Sequence, residues 1–193
     1  NAARALVPGR AFYVWCGAFP SNNGGPANTE TFPQLFREFD LRYAQMIIWN
    51  KGHGILGRKD FMTQYKVCLY GWKGGAAHEW FGPNNITDLW DVQKVPGQNM
   101  VHLTEKPVEL AARAIQYSTQ HGENVLDLFG GSGSTLMGAE QTGRRAFLME
   151  LDPLYCDVIL QRWEKVTGKQ ATLDGDGRTY AEVAAERLAA PEG

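Results

Sequence analysis

Val125-Leu126-Asp127-Leu128-Phe129-Gly130-Gly131-Ser132-Gly133-Ser134-Thr135 is the stretch whose reading decides the fold. Its first residues form an apolar strand that ends on an acid. Glycines then make a turn, and Ser134 opens a helix. Gly131 and Gly133 lack a Cβ, so the backbone can turn sharply there and a ligand can come close. The helix beyond the turn presents unpaired N–H groups and the positive end of its dipole. Glu150 ends the next apolar run, Ala146-Phe147-Leu148-Met149, where a carboxylate can accept two hydrogen bonds from a ribose diol. A strand, loop and helix of this kind build a nucleotide-type pocket, although a plain glycine-rich turn has the same outline.

Two ligands fit that pocket. A dinucleotide needs G-x-G-x-x-G, whose third glycine lets helix and strand pack closely. Leu136 stands at that third position. Asp127, two residues before Phe129, suits a cationic amine better than a pyrophosphate, because like charges repel. Phe129-x-Gly131-x-Gly133 resembles the S-adenosylmethionine-binding motif of methyltransferases.

A second motif precedes it. His102-Leu103-Thr104-Glu105-Lys106-Pro107 resembles the H-x-T-x-K-P segment of DNA amino-methyltransferases, which methylate N6 of adenine or N4 of cytosine. In that family the segment lies just before the Phe-x-Gly-x-Gly strand, as here. Lys106 falls near a helix start, where the dipole disfavours a cation, so an anionic partner such as a methionine carboxylate suits it. The alternative is a solvated lysine beside a good early-helix proline.

The resemblance continues along the chain. Leu6-Val7-Pro8-Gly9-Arg10 resembles the family's L-K-P-G-G turn, with Arg10 in place of the second glycine. Ile47-Ile48-Trp49-Asn50-Lys51 resembles its W-x-K strand end, and Leu69-Tyr70-Gly71-Trp72 the opening of its target-recognition segment. The order of motifs is that of the permuted β group, phage-type members above all. The resemblance implies a Rossmann-like methyltransferase sheet in a single domain, residues 1–193. Residues 52–100 would be a small inserted β-rich target-recognition segment and 101–170 the cofactor-binding part. His102, Thr104, Lys106, Asp127, Phe129, Gly131, Gly133 and Glu150 would bind the cofactor. The partner implied is double-stranded DNA in a restriction-modification setting, with adenine N6 ahead of cytosine N4 as target and a homodimer left open.

One departure stands against these matches. The family's catalytic (D/N/S)-P-P-(Y/F) tetrapeptide binds the target amine and stacks on the flipped base. This sequence contains no Pro-Pro pair, so no catalytic residue is assigned. In the permuted order the motif and its strand would come before residue 1, which leaves the sheet incomplete at its N-terminal side. Two other functions stay open: a non-catalytic module that binds cofactor and DNA, and a nucleotide-binding oxidoreductase domain.

Composition fits a cytoplasmic globular domain. The chain has 193 residues, 44% of them hydrophobic, which is enough for one core. It has no long apolar run, so no membrane span is expected. Cys16, Cys68 and Cys156 are odd in number and scattered, as reduced thiols are. His53 and His78 have no second ligand at metal spacing, so no metal is expected. The net charge of −2 gives no general affinity for DNA. A local basic face would have to supply it, with Arg58, Lys59, Lys66 and Lys73 as candidates among the aromatics of 52–100.

The remaining pattern alternates strands and helices, as a layered α/β sheet requires. Strands are expected at Ala11–Trp15 and Leu41–Trp49. Thr31-Phe32-Pro33-Gln34 reads as a capping box that opens a helix with Thr31 as N-cap. Further helices are expected over Pro107–His121, Ser134–Thr142 and Pro153–Val166, stopped by Gly122, Gly143 and Gly168. Thr179 to Glu182 is a second capping box.

Overall fold

The structure is a computed structural model that describes residues 1–20, 25–57, 60–94 and 106–189. In chain order its elements are α1 (Ala2–Ala5), β1 (Ala11–Cys16), α2 (Asn28–Glu38), β2 (Leu41–Ile55), β3 (Thr63–Lys73), β4 (Leu89–Asp91), α3 (Val108–Ser118), β5 (Asn124–Asp127), α4 (Ser134–Thr142), β6 (Arg145–Leu148), α5 (Pro153–Thr167) and α6 (Tyr180–Ala189). The strands form two sheets: a four-stranded one in the order β1-β3-β2-β4 and a two-stranded one of β5 and β6. β3 runs antiparallel to both neighbours, β4 is parallel to β2, and β5 is parallel to β6.

Side chains alternate across the larger sheet with a period of two. Phe12, Val14, Cys16, Met46, Ile48, Val67 and Leu69 face α2, where Phe32 and Phe36 close one core. Tyr13, Trp15, Ile47, Trp49, Cys68 and Tyr70 face the other way, onto Leu110 and Ala114 of α3. Trp90 and Tyr117 complete that aromatic layer, edge-on at 6.3 Å. β3 is apolar on both faces and therefore sits inside the sheet. Tyr70, Trp72 and Trp90 of the 52–100 segment thus serve the main core, while Phe61, Tyr65, Trp80 and Phe81 stay exposed. From within that segment β3 takes the place between β1 and β2 in the larger sheet.

α3 also joins the two sheets. The Tyr13 and Ser118 hydroxyls lie 2.7 Å apart, and Arg144, beside β6, donates to the Thr119 carbonyl at 2.6 Å. Gly138 of α4 lets α4 cross α3 closely, since a Cβ there would lie 2.9 Å from the Ala112 nitrogen.

Several helix ends differ from expectation. α2 starts one turn early, with Ala27 as N-cap, and Thr31 is inside it, donating to the Ala27 carbonyl at 3.4 Å. Glu30 then falls in the first turn, where the helix dipole favours an acid. α3 runs only to Ser118, because Thr119 turns extended and returns its hydroxyl to the Ile115 carbonyl at 2.6 Å. Gly122 therefore belongs to the turn into β5. α4 keeps its expected limits and α5 ends one residue late, with Gly143 and Gly168 left-handed at their ends. The Thr179–Glu182 box forms as read: the Thr179 N–H donates to the Glu182 carboxylate at 2.7 Å and the Glu182 N–H to the Thr179 hydroxyl at 3.3 Å.

Candidate cofactor site

The glycine turn between β5 and α4 is held from three sides. The Gly130 N–H donates to the Met149 carbonyl and the Gly133 N–H to the Gly130 carbonyl, both at 2.8 Å. Arg162 of α5 donates to the Ser132 carbonyl at 2.9 Å. Gly133 is the N-cap of α4 with φ near 80°, a left-handed geometry that a side chain would strain. Gly131 also has positive φ, and a Cβ on it would meet only the Phe129 carbonyl, at 3.9 Å. The turn therefore leaves open space where a ligand would approach.

Two carboxylates flank that space. Glu150, just past β6, accepts from the Gly131 N–H at 2.7 Å with one oxygen. Its other oxygen accepts from the Leu151 and Asp152 N–H groups at 2.8 and 3.1 Å. Asp152 in turn caps α5 by accepting from the Leu154 N–H at 2.9 Å, with Pro153 in the first turn. Asp127, the last residue of β5, accepts from the Phe129 N–H at 3.0 Å and from the Thr135 hydroxyl at 2.6 Å. Both acids are thus oriented before any ligand arrives.

Lys106 closes a further side. The Ser134 hydroxyl donates to its carbonyl at 2.7 Å, which ties the start of α3 to the start of α4. Burial and the nearby Lys66 push the Lys106 pKa below the usual lysine range, and Asp127 partly opposes them. The turn thus brings together Lys106, Asp127, Gly131, Gly133 and Glu150. The Phe129 ring stands out from the turn, 87% exposed. His102 and Thr104 lie outside the described residues.

The candidate DNA residues are dispersed. Lys66 is exposed on β3. Lys73, at the other end of that strand, donates to the Ala3 and Leu6 carbonyls at 2.8 Å each and so anchors the N-terminal segment. Arg58 and Lys59 lie outside the described residues. His78 has both ring nitrogens engaged, 2.8 Å from the Tyr70 hydroxyl and 3.2 Å from the Gly9 carbonyl, and stacks on Trp72 at 4.2 Å.

A family profile described as DNA methylase matches residues 1–161. The chain belongs to the N6/N4 DNA methylase family.

Among curated methylases, the type II methyltransferase M.BglII of Bacillus subtilis is 22% identical over 190 residues, covering 82% of this chain and 52% of that protein. M.ScaI of Streptomyces caespitosus is 26% identical over 194 residues, covering 83% of this chain and 63% of that protein. The chain therefore spans about half to two thirds of the length of these relatives. Among solved structures, PvuII DNA methyltransferase (cytosine-N4-specific) superposes with a TM-score of 0.72 at 17% identity, over 95% of this chain and 71% of that one. The M1.HpyAVI–SAM complex superposes at 0.69 and 19%, over 83% of this chain and 78% of that one. At such identities the likeness is one of fold.

In this methylase chain the site is braced by residues outside the binding motifs. Ser134 and Thr135 had a usable signal, since hydroxyls at a helix start seek nearby polar groups. Arg162 had none: it lies a helix away, and only tertiary packing brings it under Ser132.

Proposed function

We propose that this chain is the cofactor-binding and DNA-facing part of a site-specific DNA amino-methyltransferase that uses S-adenosylmethionine. One observation carries the reading: Asp127 and Glu150 are both held in place by hydrogen bonds, on either side of a turn whose Gly131 opens onto free space. Asp127 suits the cofactor's amine, Glu150 the ribose hydroxyls, and Lys106 the methionine carboxylate. Phe129, exposed beside the turn, is free to cover the bound cofactor. When bound, S-adenosylmethionine supplies the methyl group. The chain's own work is to orient it beside a base turned out of the duplex. The reaction needs no cysteine nucleophile; Cys68 is fully buried, and burial holds its thiol protonated well above the ordinary range.

The likeness to type II methyltransferases supports DNA as substrate and a restriction-modification setting. Adenine N6 is kept ahead of cytosine N4 as target. Double-stranded DNA is the partner, the cytoplasm the site of action, and no described helix is long and apolar enough to cross a membrane.

Calorimetric titration with S-adenosylmethionine and with NAD tests the cofactor; tighter binding of NAD would overturn the assignment. Transfer of labelled methyl to mixed-sequence DNA tests the activity. The 193-residue chain, without a Pro-Pro-aromatic motif, should be silent and should gain turnover when a segment bearing that motif is supplied. Nucleoside analysis of the product then decides between the two amines.

A further inference from the structure

Lys51, at the carboxyl end of the run Ile47-Ile48-Trp49-Asn50-Lys51, is only 6% exposed. Among the described residues it makes no hydrogen bond and no ion pair; its ammonium lies 5.8 Å from the centre of the Trp49 ring. A buried cation without a counter-charge is costly, and the usual remedy is a paired anion. Among the described residues none is paired with it. Asp91, the ladder partner of the adjacent Asn50, is engaged by that residue's amide at 2.6 Å. Charged neighbours make the position worse. Lys66, the cross-strand partner of Trp49, and Lys94, just past β4, both lie close enough to repel Lys51.

Lys66 and Lys94 both repel Lys51, and Lys66 also repels Lys106, which Asp127 at the glycine turn attracts. Lys51 lies in the carboxyl half of β2 and Lys94 lies just past β4, at the strand ends where α/β sheets bind ligands. Lysines set close enough to repel one another suit a ligand with repeated negative charge.

We propose that Lys51, flanked by Lys66 and Lys94, is a receptor for a backbone phosphate of the DNA substrate. This rests on the methyltransferase reading and adds the point where the strand is held beside the cofactor. The methionine carboxylate is the other anion in play. It suits Lys106, which Asp127 attracts, whereas among the described residues no carboxylate acts on Lys51.

The test uses the 193-residue chain with 13C-labelled lysines, the Lys51 signal being identified by its loss in Lys51→Gln. Inorganic phosphate, and separately a mixed-sequence duplex, should shift the Lys51 Cε resonance and raise the pH at which it titrates. Duplex binding measured across salt concentrations should lose about one unit of log–log salt slope in Lys51→Gln, while Lys51→Arg keeps the wild-type slope. Lys94→Gln carries the same expectation should Lys51→Gln fail to fold. A Lys51 signal unmoved by both phosphate and DNA overturns the inference, as does a wild-type chain that binds no duplex. So does a Lys51→Gln chain whose affinity falls for S-adenosylmethionine and not for DNA, which would assign the cation to the carboxylate. Failure of the wild-type chain to bind S-adenosylmethionine sinks the methyltransferase reading instead, and leaves a phosphate-induced shift at Lys51 standing.

Discussion

Glu150 accepts the Gly131 N–H at 2.7 Å and so fastens the end of β6 to the glycine turn that follows β5. The carboxylate thereby shapes the turn, and in the proposed complex it would also accept from a ligand's hydroxyls. Because backbone groups orient it in advance, little side-chain entropy remains to be lost on binding.

Replacing Glu150 by alanine should weaken S-adenosylmethionine binding by about 1–3 kcal/mol, the cost of losing charge-assisted hydrogen bonds. Calorimetric titration of the variant measures it. An unchanged affinity would show that Glu150 only braces the turn.

Thr135 tests the other acid. Its hydroxyl donates to Asp127 at 2.6 Å, from the first turn of α4. Thr135→Val keeps the shape and removes the donor. The expected result is a cofactor affinity several-fold weaker, from about 1 kcal/mol of lost orientation, with the fold retained by circular dichroism. Equal affinity would mean that the Phe129 N–H holds Asp127 well enough alone.

Much of this was legible in the sequence. The strand ending at Asp127, the limits of α4 and the Thr179–Glu182 box all follow from local chemistry: an apolar run, a glycine turn, paired cap residues. Asp127, Glu150 and Lys106 were picked out by motif, and the structure sets all three around one turn. What failed was the competition between local signals. Thr31 looks like a cap, but Asn28, Thr29 and Glu30 already suit a helix start. Lys73, a DNA-binding candidate by sequence, also donates to two carbonyls of the N-terminal segment, which only the fold brings to it. Within residues 52–100, Val67 to Tyr70 are apolar in an unbroken run because β3 is covered on both faces.

Gly138 separates helix propensity from packing. Gly→Ala in a helix ordinarily stabilises by roughly 0.5–1 kcal/mol. Here the new Cβ would lie 2.9 Å from the Ala112 nitrogen and 3.1 Å from the Ala111 Cβ, so α3 and α4 would have to part. Overpacking of that kind costs about 1–3 kcal/mol. The packing cost is the larger, and Gly138→Ala should lower the denaturant midpoint. A raised midpoint would mean that the two helices can separate freely.

Burial, and then the repulsion of Lys66 and Lys94, set the Lys51 pKa below the ordinary lysine range. Between that lowered value and about 10.4, the unfolded chain holds more protons than the folded one, so this residue's contribution to stability rises with pH across the window. Below the window both states are charged and the full penalty applies. Lys51→Met removes the penalty, so the variant should be more stable than the wild type at pH 7. Its advantage should shrink as the pH approaches the ordinary lysine range. Denaturant midpoints at pH 7 and pH 10 check both points. An advantage that is absent, or that grows with pH, would count against the buried-cation account.

The last prediction concerns the space between the two sheets. β1 pairs with β3 alone and β5 with β6 alone, so among the described residues each of them has one edge without a partner strand. Unpaired strand edges carry rows of free N–H and C=O groups, which exchange with water and accept a further strand. The apolar side chains Leu126, Phe147 and Met149 are also exposed on the smaller sheet, so a covering element would gain hydrophobic burial there. We expect alternate amides of Ala11–Cys16 and of Asn124–Asp127 to exchange rapidly in the isolated chain. Both sets should become protected together when a methylase segment carrying a Pro-Pro-aromatic motif and its strand is added, because one strand lying between β1 and β5 would serve both edges. Protection of only one edge would place the added strand elsewhere. Protection of both edges in a monomer without the segment, through direct pairing of β1 with β5, would refute the prediction.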